Sequence, residues 1–406
     1  MGNLRNRDFS TASPASLVVD TIETWAEFRA LKPDWQALET RDPQATVFLS
    51  WDWMAQAFRA NPGRWRVVIV HSADRLICVL PLKYRVHWSS SARAFQSEIE
   101  AGGRLLWSEY TGFLCDPTFQ AQALSLAAAQ LRTLPWSRLS LRYEDTPDRA
   151  AMFLRAFPEA EYSARLSEYR INKGETDNLV CPRVPLAPTF DDYLAAIPSR
   201  GRRQKLRRAM RQLDGDGDLR ITLTTPATFE RDVAGLLRLW TAKWVPSKGQ
   251  DVADRVAGNY REVLQAALRL GQLHMPVLWR GDRMLGALGH VRDPHRQRLC
   301  FIVGGRDEGA ADQNIGLMLH GAAIRWAIGA GQRTYDFCHG DEAYKFTYGA
   351  RPERVSYLTV RRRSGTAPAA RFDPIGRPEA MRRLLGFIEA GDRDRAARAC
   401  RQLLEP

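Results

Sequence analysis

The sequence predicts an α/β fold in which one module, a mixed sheet flanked by helices, occurs twice in tandem. The segment Val67–Leu80 has the pattern strand, tight turn, strand, and Met275–Leu288 repeats it. Asp74-Arg75 aligns with Asp282-Arg283, 208 positions further on. With 406 residues, 45% of them hydrophobic, the chain has enough apolar material for two such modules.

The other elements follow the same order in both halves, which supports a duplication. Each hairpin follows a Trp-rich helical pattern and precedes an Ala/Leu-rich helical pattern that runs into a short strand. In the first half these segments are Trp51–Phe58, Ala121–Leu134 and Arg138–Tyr143. In the second half they are Leu236–Trp244, Gly316–Gly329 and Arg333–Cys338.

Prolines indicate where the halves meet, because they interrupt regular structure at Pro182, Pro185, Pro188 and Pro198. The segment Pro378–Leu404 has the spacing of two short amphipathic helices. We therefore expect a flexible N-terminus at 1–20, an N-terminal module at 21–185, a C-terminal module at 186–362, and a linker with a helical tail at 363–406.

Composition narrows the class of protein. No apolar run reaches the roughly 18 residues of a membrane-spanning helix, and the first twenty residues lack the pattern of a secretory signal. We expect a soluble cytoplasmic protein. Its six cysteines include no CxxC pair, which favours buried reduced thiols over disulfides or a zinc site, and we expect no metal.

The net charge of +13 favours an acidic partner, but only seven of the 59 basic residues are lysine. Such an excess of arginine, beside abundant alanine and glycine, also follows from codon composition. The charge is more informative locally: Ser199–Arg211 carries seven basic residues and no acidic one. Leu206, Met210 and Leu213 give this segment helical spacing. It is either a solvated helix face or a contact for phosphate or an anionic acceptor.

A glycine-rich turn in the second half suggests an anion site. Arg298–Arg306 has the pattern of a strand that ends in glycines, and Asn314 then opens a long helix. Free amides at the positive end of a helix dipole suit a pyrophosphate, and Gly316 lets it approach the backbone closely. The alternative is an ordinary Asn-capped helix after a loop.

The segment Tyr335–Phe346 places three acids, a histidine, a tyrosine and a lysine at the end of a predicted strand. Ligands gather at strand ends in open α/β sheets, so these side chains are expected to form the wall of a site. The alternative is a polar loop in which a strand-end aspartate caps its neighbours.

These motifs together resemble a known family. The Leu-Trp-x-x-x-Trp helix, the Gly-Asp-Arg hairpin, Asn314–Leu319 and Tyr-Asp-Phe-x-x-Gly-Asp-Glu-x-Tyr-Lys look like GNAT-type acetyltransferases of the cellulose and exopolysaccharide biosynthesis (CelD-like) group. Those enzymes are relatives of Fem-type peptidoglycan aminoacyltransferases, which also carry tandem GNAT-like modules. The resemblance covers Phe48–Val360. The phosphate turn departs from the GNAT pattern, with Met318 where a second small residue is usual.

The resemblance implies an N-acyltransferase that uses acetyl-CoA and acts on an amino group of a sugar, polysaccharide or cell-envelope precursor. Backbone near Val303 and Gly304 would hold the thioester carbonyl, and Asn314, Ile315 and Gly316 the pyrophosphate. Asp336 or Glu342 would take the amine proton and Tyr344 would return one to the thiolate. On the acceptor side, Lys345 would hold an anionic group, with Trp244 as an apolar wall; the other candidates there are Lys248, His339 and Asp341.

The first half has Glu144-Asp-Thr-Pro147 after its strand in place of the polar motif, so we expect one active site, in the second half. The acceptor is expected to be a small molecule or glycan. Two further interpretations remain. An aminoacyl-tRNA donor would dock on the basic helix Arg200–Arg211, although nucleic-acid binding is not favoured because no aromatic residues lie between the charges. A non-catalytic GNAT-fold binding protein in an exopolysaccharide pathway is the other.

Overall fold

The computed structural model describes residues 16–73, 75–310, 314–363 and 372–404. It contains two mixed β-sheets flanked by helices. The strands of the first half are β1 Val18–Ile22, β2 Trp65–Ser72, β3 Arg75–Ser89, β4 Ala94–Ala101, β5 Leu114–Cys115, β6 Arg138–Glu144, β7 Tyr162–Leu166, β8 Arg170–Ile171, β9 Thr176–Asp177 and β10 Val180–Pro185. Its helices are α1 Trp25–Ala30, α2 Lys32–Arg41, α3 Trp51–Arg59, α4 Gln120–Thr133 and α5 Pro147–Arg155.

The second half also contains both strands and helices. Its strands are β11 Leu219–Leu223, β12 Leu273–His274, β13 Pro276–Arg280, β14 Arg283–Asp293, β15 Arg298–Arg306, β16 Thr334–Asp336, β17 Arg351–Arg354 and β18 Ser356–Arg362. Its helices are α6 Phe190–Ala196, α7 Arg200–Gly215, α8 Phe229–Lys248, α9 Gln250–Arg269, α10 Ile315–Gly329, α11 Arg377–Glu389 and α12 Arg393–Leu404.

The strand orders confirm the tandem duplication. The first sheet runs β1-β2-β3-β4-β6-β18-β7 and the second β11-β13-β14-β15-β16-β10-β17, with one short strand beside each path. In both sheets only the fourth and fifth strands of the path are parallel, and a helix, α4 or α10, joins them. The predicted hairpins are β2–β3 and β13–β14, although Asp74 at the first turn lies outside the described residues.

The sixth strand of each sheet comes from the other half of the chain. Strand β10 lies between β16 and β17 of the second sheet, and β18 lies between β6 and β7 of the first. Each half therefore completes the sheet of the other. Loss of a crossing strand leaves the last strand of the sheet, β17 or β7, without a strand partner, and exposes one edge of β16 or β6.

Sheet membership differs from the predicted domain boundaries. The boundary at 185/186 assigns Val180–Pro185 to the first module, yet this strand belongs to the second sheet. Strand β18, Ser356–Arg362, falls within the predicted C-terminal module at 186–362, yet it belongs to the first sheet. Residues 1–15 of the predicted N-terminal segment and 364–371 of the predicted linker lie outside the described part of the chain.

The largest apolar core runs across both halves, because the Trp-rich helices pack into the same cluster. Trp53 and Phe58 of α3 and Leu236 and Trp240 of α8 are buried members of it. At the other side, the predicted tail helices α11 and α12 pack on the first sheet, where Phe387 stacks on Phe95 with ring centroids 6.0 Å apart. No helix among the described residues is both long and apolar enough to cross a bilayer.

The strand exchange predicts that neither half folds alone. Residues 1–185 and 186–406, expressed as separate fragments, should each lack a cooperative unfolding transition, because each sheet loses its sixth strand. Expressed together, they should assemble and co-purify, since the break at 185/186 falls after β10 and leaves both crossing strands intact. Calorimetry of each fragment is the measurement. A cooperative transition in either fragment alone would contradict the interdependence.

Candidate active site

The candidate site lies at a gap in the second sheet, between strands β15 and β16. Strands β15 and β16 pair over only three residues, from Arg298 to Cys300 on β15. Strand β15 continues to Arg306 while β16 ends at Asp336, so beyond Cys300 the described residues give β15 no strand neighbour on that side. Ile302 is an extra residue in the pairing with β14, a β-bulge of the kind that re-aims groups beside sites.

Two cavities meet at this gap. One, of about 610 Å³, lies between the two halves of the chain and is here called the intermodule cavity. The other, of about 550 Å³, lies at the start of α10 and is called the helix-end cavity. Lys243, Phe301, Gly304 and Tyr344 line both. Molecules bound in the two cavities would therefore meet beside Gly304.

The helix-end cavity is suited to an anion. Asn314 does not cap α10 with its side chain, and the first turn of α10 holds no acidic residue. A Cβ built on Gly316, which lines the cavity, has no atom within 4 Å. Arg202 and Lys205 of α7 also line it, so the basic helix turns part of its charge toward this space. Amides and cations together suit a phosphate group.

The expected phosphate-binding residues are only partly brought to this cavity. Gly316 lines it, whereas the Ile315 side chain is buried on the sheet, 3.0 Å from the position of a Cβ on Gly286. Asn314 precedes the helix as its N-cap residue. Gln313, the first residue of the partial phosphate motif, lies outside the described residues.

Glycines let β15 lie close to its neighbours at the gap. A Cβ on Gly305 would be 2.6 Å from the Leu236 carbonyl oxygen of α8, and a Cβ on Gly304 would be 2.7 Å from Leu288. Backbone cannot yield as a side chain can, so Gly305 is required where β15 passes α8. The predicted contact residues Val303 and Gly304 both line the intermodule cavity.

Aromatic rings from both halves form the walls of the intermodule cavity. The Trp107 ring of the first half meets Tyr260 of α9 at 6.2 Å, and Trp240 meets Tyr260 at 5.4 Å. Trp244 and Lys248, expected on the acceptor side, line the cavity, with the Lys248 Nζ 4.8 Å from the centre of the Trp244 ring. The sequence predicts a site in the second half of the chain. The walls of this cavity come instead from both halves.

Lys345 organises the loop after β16. Its Nζ donates to the carbonyl oxygens of His339 at 2.5 Å and Gly340 at 3.0 Å, and it pairs with Glu342 at 3.0 Å. Only 3% of the residue is exposed. Its charge is therefore committed to the loop, while Lys345 also lines the intermodule cavity, and its expected contact with an anionic acceptor group stays a prediction.

Asp336, expected to take the amine proton, is fully buried and does not line either cavity. Its Oδ2 accepts from the Tyr110 hydroxyl at 2.7 Å and from Arg183 Nε at 3.0 Å, and its Oδ1 accepts from the Cys338 amide at 2.8 Å. Both oxygens are occupied by structural partners. The position therefore corrects the catalytic assignment.

Asp336 belongs to a buried ion network that joins the halves. Arg183, on the crossing strand β10, also donates to Asp145 at 2.6 Å, and Arg298 of β15 donates to Asp145 at 2.9 Å. Burial opposes ionisation of Asp145, but Arg183 and Arg298 outweigh it and hold its pKa below the usual range. We call Asp145, Arg183, Arg298 and Asp336 the junction network.

His339 and Asp341 take different positions. The Asp341 side chain accepts from the Asp177 amide at 2.9 Å and does not line the cavity, so its expected contact with substrate is not formed. His339 does line the cavity; burial lowers its pKa to about 3, which keeps the ring neutral. The ring stacks on Tyr143 at 3.7 Å, and its Nε2 lies 3.3 Å from Glu109 Oε2.

Sequence analysis missed the contribution of the first half: Arg104, Trp107, Glu109, Tyr143 and Tyr169 all line the intermodule cavity. The first half lacks the polar motif of the second, and for that reason the sequence did not predict site residues in the first half. The signal available was the short run Trp107-Ser-Glu-Tyr110, in which a carboxylate lies among aromatic residues after a Gly-Gly pair.

Removal of the Asp336 carboxylate should destabilise the protein. Asp336→Ala leaves Arg183 and Arg298 buried with one carboxylate between them, which should cost roughly 3–5 kcal/mol of unfolding free energy. Urea denaturation measures it. Asp282→Ala, which removes an exposed carboxylate from a surface pair with Arg220, is the matched control and should leave the midpoint near wild type. Equal stability of Asp336→Ala and wild type would argue against the junction network.

Comparison with known proteins agrees with this architecture. Residues 200–346 match the acetyltransferase (GNAT) domain family, and that stretch contains the gap, α10 and the polar loop. No curated protein matches the chain. The crystal structure of FemX is similar with a TM-score of 0.58 at 10% identity, covering 84% of this chain and 96% of that chain.

Two further solved structures overlap most of the chain. A tandem GNAT protein from the clavulanic acid biosynthesis pathway has a TM-score of 0.46 at 11% identity, covering 88% of this chain and 100% of that one. The C-terminal domain of a putative lysylphosphatidylglycerol synthetase from Agrobacterium fabrum has a TM-score of 0.46 at 11% identity, covering 82% and 91%. Such low identities bear on fold alone. Residues 200–346 match the acetyltransferase (GNAT) domain family, and the first sheet repeats the strand order of the second, so the chain has a tandem GNAT-like fold.

Proposed function

We propose that the protein is an acyl-CoA-dependent N-acyltransferase, with acetyl-CoA as donor, that acts on an amino group of a sugar, polysaccharide or cell-envelope precursor. The observation that carries this proposal is the meeting of two unlike cavities at Gly304, one with a helix N-terminus and cations, the other with aromatic walls and carboxylates. A donor and an acceptor bound there would be adjacent, so that direct transfer needs no covalent enzyme intermediate.

The donor fits the helix-end cavity. The amides at the start of α10, with Gly316 leaving open space beside them, would hold the pyrophosphate, and Arg202 and Lys205 would neutralise phosphate charge. Acetyl-CoA bound there supplies an activated acyl thioester. The edge of β15 at Val303 and Gly304, which faces the gap, would offer backbone amide to the carbonyl oxygen.

Tyr344 is placed to supply the proton that the leaving thiolate needs. It lines both cavities, with 45% of the residue exposed. Partial burial of Tyr344 and the neighbouring Glu342 both raise the pKa of Tyr344 above the usual range. The hydroxyl therefore keeps its proton at neutral pH and can donate it to a thiolate.

The acceptor side favours a ring-shaped amine. Trp244 offers an apolar face of the size of a sugar ring, and Tyr143 and Tyr260 add polar hydroxyl groups at the edges of the wall. The amine end would approach the carboxylates Glu109 and Glu342, which line the same cavity. These contacts support an amino sugar over a purely apolar amine.

Acetyl-CoA should bind saturably to the wild-type protein, as measured by isothermal titration calorimetry. Gly316→Asp should weaken that binding at least about tenfold, since a carboxylate in the open space beside α10 repels the pyrophosphate. Gly329→Asp is the matched control, because Gly329 lies at the far end of the same helix with open space around its Cβ position. It should bind like the wild type.

Two outcomes would count against this donor site. Absence of wild-type binding at millimolar acetyl-CoA would refute the acyl-CoA proposal. Equal losses in Gly316→Asp and Gly329→Asp would locate the effect in the stability of α10 and not in a phosphate contact.

An aminoacyl-tRNA donor is the second candidate. The basic helix α7 keeps Arg200, Arg207, Arg208 and Arg211 exposed, beyond the residues that line the helix-end cavity. The fold likeness to FemX is compatible with this donor without arguing for it. A tRNA affinity that falls steeply with salt, together with no acetyl-CoA binding, would favour this candidate.

A further inference from the structure

We propose that the acceptor site is composite: Glu109, from the first half of the chain, takes the proton from a primary amine that is acylated at the GNAT domain. This inference rests on the proposed function, and it assigns to the first half a chemical role in addition to its structural one. In the polar motif of the second half, Glu342 is the carboxylate that also lines the cavity, and it is paired with Lys345.

Glu109 reaches the gap from the opposite half. It follows the 3₁₀ turn Gly102–Leu106 and lines the intermodule cavity together with Val303 and Gly304. Its side chain is 16% exposed. A carboxylate that shares a cavity with the carbonyl-binding backbone can take the proton that an attacking amine releases.

A neutral histidine holds Glu109 in place. His339 Nε2 lies 2.5 Å from the Glu109 carbonyl oxygen and 3.3 Å from Oε2, while Nδ1 lies 3.3 Å from Cys181 Sγ. A ring that donates from Nε2 to Glu109 accepts the Cys181 thiol proton at Nδ1, so one tautomer satisfies both contacts. His339 is thus a positioning residue that acts through Glu109.

The environment of Glu109 suits proton transfer at neutral pH. Burial raises the pKa of Glu109 to about 7, against the opposing charges of Arg104 and Lys345. A base with a pKa near the working pH combines a useful population of carboxylate with enough basicity to accept a proton. The titratable and charged groups that face it are Arg104, Tyr143, Tyr260, Asp336, His339, Glu342 and Lys345.

The other carboxylates are less suited to this role. Asp336 has both oxygens in the junction network and no access to the cavity. Glu342 pairs with Lys345 at 3.0 Å, so its carboxylate is already engaged with the ammonium group that organises the loop. Glu109 lies 3.3 Å from a histidine that stays neutral, which does not reduce its basicity as a cation would.

Backbone strain gives independent support, because it concentrates at this cavity. Seven non-glycine residues in the described structure have positive φ, and four of them line the intermodule cavity. They are Trp107 at 49°, Asn172 at 52°, Cys338 at 51° and Tyr143 at 69°. Bulky residues seldom adopt this conformation, and where surroundings enforce it the site is typically functional. Trp107, Asn172 and Tyr143 belong to the first half.

The carboxylate of Glu109 defines the acceptor class as a primary amine that arrives as an ammonium cation. The rings of Trp107 and Tyr260, packed edge to face with their centres 6.2 Å apart, bound the space beside Glu109, and the Arg104 guanidinium lies over the Trp107 ring at 5.4 Å. Proton transfer to a Glu109 oxygen frees the nitrogen lone pair. The nitrogen then forms the C–N bond to the acyl carbon, its second proton passes to solvent, and the C–S bond breaks with its electron pair on sulfur, which takes the Tyr344 proton.

The test compares full-length Glu109→Gln with wild type, with acetyl-CoA as donor and thiol release as readout. D-Glucosamine, D-galactosamine and their 6-phosphates are the acceptor probes. The wild-type kcat/KM should rise with pH through an apparent pKa of about 7, because the carboxylate form is the active one. Glu109→Gln should lower kcat about 10²–10⁴-fold and abolish this rise, with the acetyl-CoA Kd within twofold of wild type.

Two further variants separate chemistry from folding. Glu109→Asp retains the carboxylate and should recover part of the rate together with the pH dependence. Glu353→Gln, on the exposed edge strand β17, is the matched control and should behave as wild type. Wild-type rate and pH profile in Glu109→Gln, or binding of acetyl-CoA without transfer to any probe, would overturn the composite site. Failure of wild type to bind acetyl-CoA would instead overturn the proposed function.

Discussion

The reciprocal exchange of sixth strands is the constraint on which the rest of this structure depends. Strand β10 carries Arg183 into the second sheet, where it pairs with Asp336 of the adjacent strand and with Asp145 of the first half. The exchange brings the two halves together along one junction. Without it the walls of the intermodule cavity, which belong to different halves, would have no fixed separation.

The junction network engages both oxygens of Asp336, a carboxylate in the stretch that matches the GNAT domain family. Burial of charged groups costs free energy that pairing returns only when geometry and hydrogen bonds are good, and Asp336 has three such bonds. Removal of one member therefore costs more free energy than the intact network contributes, because it leaves a buried charge without its partner. A shift of β10 by one residue would turn Arg183 to the opposite face of the sheet and leave Asp336 without its partner.

The two cavities separate the proposed donor side, which belongs to one half of the chain, from the proposed acceptor side, which both halves build. The donor side is built from one domain: β15, whose glycines allow close packing on α8, and the N-terminus of α10. The acceptor side needs both halves, with Glu109 held by His339 and strained backbone at Trp107 and Tyr143. Such strain persists only where packing enforces it, and packing here depends on the junction.

The sequence by itself determined the features that are local. Hairpins, helical spacing and glycine-rich turns depend on neighbouring residues, so the duplicated module, α10 and the tail helices were predictable. Tertiary structure alone decided which groups meet. Lys345 and Asp341 both belong to the polar motif. In the folded chain Lys345 donates to loop carbonyls, and Asp341 accepts from the Asp177 amide. Glu109 and His339 are 230 positions apart in the chain, and no local pattern encodes their contact. Long-range strand pairing, which brings distant segments together only in the folded chain, is the physical reason.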